Sequence, residues 1–325
     1  MSSRESDADG HLDKYISVTG RLLPALFVLL TGCASIPPHV SKLDAGQIPV
    51  ELVETPFFPQ ERYQCGPAAL ATALGSSGLV VDPGELVDRV YLPEKQGSLQ
   101  VEMLAATRTA GRIPYVIDGT LQVLRNELDA GRPVVVLQNL GVAAIPRWHY
   151  SVVVGIDAGR NDVVLRSGVD ERRITSIPTF LRTWRRSDYW GFVVLRPGEL
   201  PTGADRMRYL DAVTALEKVD RNAAAAAAWS AALKQWPGDP VALFGLGNTE
   251  LAAGNNAAAE AHYRALLELD STLAVARNNL AIALARQARF AEAAREISIA
   301  LNDADDPALK KELLDTKGQI EAMSP

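Results

Sequence analysis

Cys65 is the residue in this sequence best placed for nucleophilic chemistry. It stands in Gln64-Cys65-Gly66-Pro67-Ala68-Ala69-Leu70, directly before an apolar stretch that reads as a helix. A thiol at a helix N-terminus lies at the positive end of the helix dipole, which favours the thiolate, the nucleophilic form. The unpaired N–H groups of the first helical turn can also receive the negative oxygen that develops when a carbonyl is attacked. Upstream, Gln60 offers a second donor through its side-chain amide. Gly66 and Ala68 are small and leave room for a substrate. A thiol needs a base to be an efficient acyl-transfer nucleophile. The histidines are His11, His39, His149 and His262, and His149 is the one that shares a mixed α/β segment with Cys65. It follows Pro146-Arg147-Trp148 and opens an apolar strand.

The elements that must hold these groups are readable from local pattern. Helical signals lie at 65–75, 83–91, 99–110 and 119–130. The stretches Arg132-Pro-Val-Val-Val-Leu-Gln138, His149–Ile156, Val163–Ser167 and Trp190–Leu195 are short and β-branched, and read as strands. Asp157-Ala-Gly-Arg-Asn161 has turn composition and joins the second and third of them into a hairpin. Helices first and strands later indicate an α+β domain over 48–198. The basic run Arg182-Thr-Trp-Arg185-Arg186 reads as solvated, loop-like surface, and Trp148, Trp184 and Trp190 as core or cleft wall.

A helix-start Cys followed by a strand-start His is the papain order. The full set of residues is more specific: Gln60, Gln64-Cys65-Gly66-Pro67, Gln96-Gly97-Ser98-Leu99 and His149-Tyr150-Ser-Val-Val-Val-Gly155-Ile156-Asp157. It resembles the bacteriocin-leader-processing (double-glycine) cysteine peptidases. That resemblance implies a papain-like fold over most of 48–198 and endopeptidase activity. It implies Cys65 as nucleophile, His149 as base and Gln60 as oxyanion donor. The family places an Asp-Pro step after the His strand to orient the imidazole. Here Ser167-Gly168 occupies that step. A serine holds the tautomer without adding negative charge. Asp170, across the inferred hairpin from His149, is the other candidate orienter. Bacteriocin exporters join this domain to membrane spans and an ATPase, and this sequence has no Gly-rich phosphate loop with a Lys.

Beyond Pro197-Gly198 and Pro201-Thr-Gly203 the sequence becomes Ala- and Leu-rich. Leu246-Gly247, Gly254, Ala259 and Tyr263 recur at a spacing of 34 as Leu280-Ala281, Ala288, Ala293 and Ile297. This pattern resembles tetratricopeptide repeats, with Ala281 and Ile297 departing from the usual glycine and aromatic. It implies an all-α repeat domain over 206–322 that binds a protein partner. At the other end, Arg21 and a short apolar run lead into Leu30-Thr31-Gly32-Cys33. This resembles a bacterial lipoprotein signal. It implies a signal peptide over 1–32, lipidation at Cys33, and a tether over 33–47 with Pro37 and Pro38. Ala34 after the cysteine points to the outer membrane.

Composition agrees with a folded protein, at 47% hydrophobic and 22% charged residues. The net charge of −6 supplies no basic surface for nucleic acid. With Cys33 and Cys65 as the two cysteines, a disulfide scaffold and a Cys-rich zinc site are excluded by number. The expectation is an α+β papain-like peptidase domain followed by a tetratricopeptide-repeat domain. It is a lipid-anchored envelope cysteine peptidase acting on a peptide or protein by a Cys-His thiolate mechanism, with no metal or cofactor. The alternative is a non-catalytic peptide-binding adaptor that scaffolds an envelope complex through its repeats.

Overall fold

The computed structural model describes residues 37–324 apart from 45, 61–63 and 143. The signal peptide expected over 1–32 and the lipidation expected at Cys33 therefore lie outside the described residues. After α1 (Pro38–Ser41) and β1 (Val50–Glu51) come α2 (Cys65–Ser76), α3 (Pro83–Val90), α4 (Gln100–Thr109), β2 (Ile113–Val116) and α5 (Leu121–Asp129). Then follow β3 (Val134–Asn139), β4 (Trp148–Asp157), β5 (Asp162–Ser167), β6 (Asp170–Ser176), α6 (Ile177–Trp184) and β7 (Gly191–Leu195). Helices α7 (Arg206–Glu217), α8 (Asn222–Gln235), α9 (Pro240–Ala252), α10 (Asn256–Leu269), α11 (Ala274–Ala285), α12 (Phe290–Asp303) and α13 (Pro307–Met323) complete it.

Local chemistry sets most boundaries. Asp82, Thr120, Asp205, Asp239 and Asp306 each accept a backbone N–H from the first turn of the helix they precede. Proline stands in the first turn of α3, α9 and α13, where its missing N–H costs nothing. The strands form one antiparallel sheet in the order β2-β7-β3-β4-β5-β6, with β1 against the far end of β4. The strand β2 was not expected. It contains Pro114, and it sits at the sheet edge, where a residue without an N–H is tolerated. The strand β6 was also unexpected; its mostly exposed Asp170–Ser176 carries no apolar alternation.

Both faces of the sheet are covered. Val135, Leu137, Tyr150, Val152 and Phe192 pack with Leu70 and Leu74 of α2 and with Leu86 and Met103. Val134, Val136, Val153, Leu165 and Val193 pack with α5 and α6. The second core continues without a break into Tyr209, Val213, Trp229 and Leu246 of α7, α8 and α9. Burial on both faces explains why the strands read as continuous apolar runs. The remaining helices stack on their sequence neighbours, and Ala259, Tyr263, Leu280, Leu284 and Ile297 fill the core between them. The architecture is an α+β sheet domain followed by an all-α run of helices.

The run Arg182–Arg186 is not a solvated loop. Arg182 belongs to α6, and Trp184 is fully buried with its indole N–H donating to Trp190 O at 2.8 Å. Arg186 donates to the carbonyls of Asn139, at the end of β3, and Gly141 just beyond it. The amphipathic spacing of Ile177, Phe180, Leu181 and Trp184 is helical, and the three arginines mask it in a composition-based reading.

Candidate active site

One cleft of about 1010 Å³ lies across the ends of α2 and β4, and Gln60, Cys65 and His149 all line it. Cys65 opens α2, whose first turn has no side-chain cap. The packing of α2 on β4 sets its position. His149 enters at the start of β4, opposite Gln138 of β3. Gln60 is drawn in by its backbone N–H, which donates to Gly168 O at 3.0 Å. Buried Arg166 secures the turn leading toward it, donating to Val53 O at 2.9 Å and Thr55 O at 3.1 Å, and ties it to Glu171 O of β6 at 2.6 Å. Exposed Trp148 and Leu99 form part of the rim.

Gly66 has a different reason from the one its size suggested. A Cβ there would lie 2.1 Å from Ser98 Oγ, so the loop carrying Ser98 closes directly on the helix start. Ser98 Oγ is buried without a hydrogen-bond partner, and its carbonyl accepts from Tyr150 Oη at 3.2 Å.

Ser167 lies behind His149, with its Oγ 2.9 Å from His149 Nε2. Asp170 pairs opposite Ser167 on β6, and its carboxylate lies 3.6 Å from Arg173. Ser167 is not at the end of the network. Ser151 Oγ lies 3.1 Å from Ser167 Oγ and 3.0 Å from Gln138 Oε1, and Gln138 Nε2 donates to Thr183 Oγ1 of α6 at 2.7 Å. Strand alternation explains the meeting. Gln138, Ser151 and Ser167 stand on the sheet face of Val136, Val153 and Leu165, which α6 covers. Sequence reasoning missed Gln138, Ser151 and Thr183. The available signal was a polar residue interrupting strands whose neighbours are apolar on both faces.

The electrostatics differ from the sequence expectation of a resting thiolate. Burial pushes the Cys65 thiol up, although backbone N–H groups of Tyr150, Gly66 and Cys65 pull it down. Desolvation outweighs the helix terminus here. Burial first, and then the nearby charges of Arg173 and Arg147, together lower His149 from 6.5 to about 4. Near neutral pH the site therefore rests as neutral thiol and neutral imidazole. Among the described residues, no group of three or more His, Cys, Asp or Glu side chains is placed to hold a metal ion.

Residues 52–190 match the profile of the Peptidase_C39 like family. Among solved structures, the chain is similar to a C39-like peptidase from Bacillus anthracis. That match has 16% identity, covers 46% of this chain and 98% of that one, and has a TM-score of 0.39. The peptidase domain of Streptococcus ComA, a bifunctional ABC transporter involved in a quorum sensing pathway, matches with 20% identity. It covers 44% of this chain and 98% of that one, with a TM-score of 0.37. The type III secretion translocator chaperone SycD of Yersinia enterocolitica matches with 19% identity. It covers 36% of this chain and 81% of that one, with a TM-score of 0.34. No curated protein matches the chain. The N-terminal α+β domain thus resembles C39 peptidases.

Proposed function

We propose that this protein is a cysteine peptidase of the bacterial cell envelope, with Cys65 as nucleophile and His149 as general base. The observation that carries the reading is the cleft shared by Cys65, His149 and Gln60, with Ser167, which does not line that cleft, 2.9 Å from His149 Nε2. Ser167 is the orienting residue, and Asp170 is engaged with Arg173 instead. With Nε2 occupied, Nδ1 is the nitrogen left for the thiol. As Cys65 Sγ attacks a peptide carbonyl, its proton passes to Nδ1 and the carbonyl oxygen becomes anionic. The Gln60 amide and the free N–H groups at the start of α2 receive that oxygen. The tetrahedral species collapses as the imidazolium returns the proton to the leaving amine, giving a thioester that water hydrolyses.

The signal at 1–32 and lipidation at Cys33 anchor the protein, facing the periplasm from the outer membrane. The repeats over 206–322 recruit a protein partner or substrate. Incubation of the full chain with a tryptic-peptide library, read by mass spectrometry for new termini, tests the catalytic reading. Cleavages absent with Cys65→Ala and His149→Ala are expected. Wild-type patterns identical to Cys65→Ala across pH 5 to 9 would sink it. The neutral thiol and the missing carboxylate at the Ser167 position favour one other reading, a peptide-binding adaptor. That reading gains if peptides bind the cleft without being cut. For the anchor, Cys33→Ser is expected to move the protein from the membrane to the soluble fraction, and continued membrane retention would refute it.

A further inference from the structure

The network behind His149 has a direction, and one end of it fixes that direction. Thr183 Oγ1 lies 2.9 Å from Phe180 O and 3.3 Å from Thr179 O, both carbonyls of its own helix α6. A carbonyl only accepts, so the one hydroxyl proton of Thr183 points to that side. The Thr183 oxygen is then an acceptor toward Gln138 at 2.7 Å, which assigns the amide NH2 of Gln138 to that end and its Oε1 to Ser151. Ser151 donates to Oε1 at 3.0 Å, so its oxygen accepts the proton of Ser167 at 3.1 Å. Ser167 has then no proton left for the imidazole, and it accepts from His149 Nε2–H at 2.9 Å. Each contact holds one proton. Running the chain backwards would set the lone pairs of Thr183 against the carbonyl of Phe180. Ser151, Ser167 and Gln138 are each at most 3% exposed, so no bulk water competes.

We infer that Thr183, Gln138 and Ser151 are positioning residues that set the tautomer of His149, presenting Nδ1 unprotonated to the cleft. The inference rests on the reading of His149 as the base of Cys65. A carboxylate in the Ser167 place would both hold the ring and stabilise its cationic form. This chain of neutral groups does the first, and the second far less than a carboxylate would. It also explains why a polar row crosses an otherwise apolar sheet face: each member hands its proton to the next, and the last hands it to a helix carbonyl.

The test is the tautomer itself, which does not depend on finding a substrate. The full chain labelled with nitrogen-15 at histidine is examined by long-range proton–nitrogen NMR at neutral pH, with His149 assigned by loss of its signals in His149→Gln. The wild type is expected to show Nε2 protonated and Nδ1 bare; the opposite tautomer would overturn the proposal with no variant needed. Thr183→Val removes the anchoring hydroxyl at nearly constant shape, and a mixture of the two tautomers is expected. Thr183→Ser restores the hydroxyl and is expected to restore the wild-type signature. A Thr183→Val spectrum identical to the wild type would overturn the chain. Wherever library peptides are cut, Thr183→Val is expected to lower kcat by about tenfold with KM unchanged, and Thr183→Ser to recover most of it. Tautomer control without cleavage would refute the peptidase and leave this inference standing; cleavage without tautomer control would do the reverse.

Discussion

Where the helical run meets the sheet domain, the buried polar groups are charged and paired; behind His149 they are neutral and chained. At the junction, Glu127 is fully buried, lies 2.5 Å from Arg132 Nε, and accepts Thr202 N at 2.7 Å. Just past it, within the helical run, buried Asp239 pairs with Arg206 at the start of α7 and caps α9. Behind the cleft, His149, Ser167, Ser151, Gln138 and Thr183 carry no carboxylate among them. A buried ion pair holds two segments together because either charge alone is strongly disfavoured. A neutral chain orients a ring without adding a negative charge to stabilise its protonated form. The junction is thus arranged to resist separation, and the site to keep both thiol and imidazole uncharged at rest.

The largest effect expected of this contrast is at the junction. Glu127→Ala should lower the unfolding free energy by about 3–5 kcal/mol in urea titration, because it strands Arg132 and Thr202 N. A loss comparable to that of Ser151→Ala would break the comparison. The site should show its own signature in pH dependence. His149 falls from 6.5 to about 4 in the folded state, so between those values the unfolded chain binds the proton and the folded one does not. Stability therefore falls as pH drops from 6.5 to 4, by up to about 3 kcal/mol from this group. His149→Gln should remove that part of the slope, and an unchanged slope would exclude a buried neutral imidazole. A third test lies within the helices. A Cβ on Gly245 would come 2.4 Å from the Trp229 ring. Gly245→Ala should therefore cost about 1–3 kcal/mol in thermal or urea unfolding, without altering the His149 tautomer. The smallest effect is expected at the cap of α7. Asp205 accepts Arg208 N at 2.8 Å, and Asp205→Ala should cost about 1 kcal/mol.

Much of the site is legible in the sequence. Cys65 at a helix start and His149 at a strand start follow from local pattern, and the scarcity of histidine leaves one partner in that segment. The four central strands are legible because β-branched runs mark them. The edge strand β2 is not, since Pro114 argues against a strand unless its edge position is known. The helix α6 is hidden by Arg182 within it and by Arg185 and Arg186 just past its end. Gln138, Ser151 and Thr183 are invisible as a group, because they come from β3, β4 and α6 and meet only when register brings them to one face.

The sequence by itself determined the nucleophile and base candidates, the α+β-then-α order and the helix boundaries marked by Asp, Thr and Pro. These depend on residue type and short-range spacing. The charge state of the site was decided by tertiary structure alone. A helix start predicts a thiolate, yet burial of Cys65 reverses that tendency. Likewise the choice of Ser167 over Asp170 beside the imidazole depends on where β5 and β6 place their side chains, with Ser167 against His149 and Asp170 toward Arg173. Desolvation and strand register are properties of the packed molecule, and no residue carries them alone.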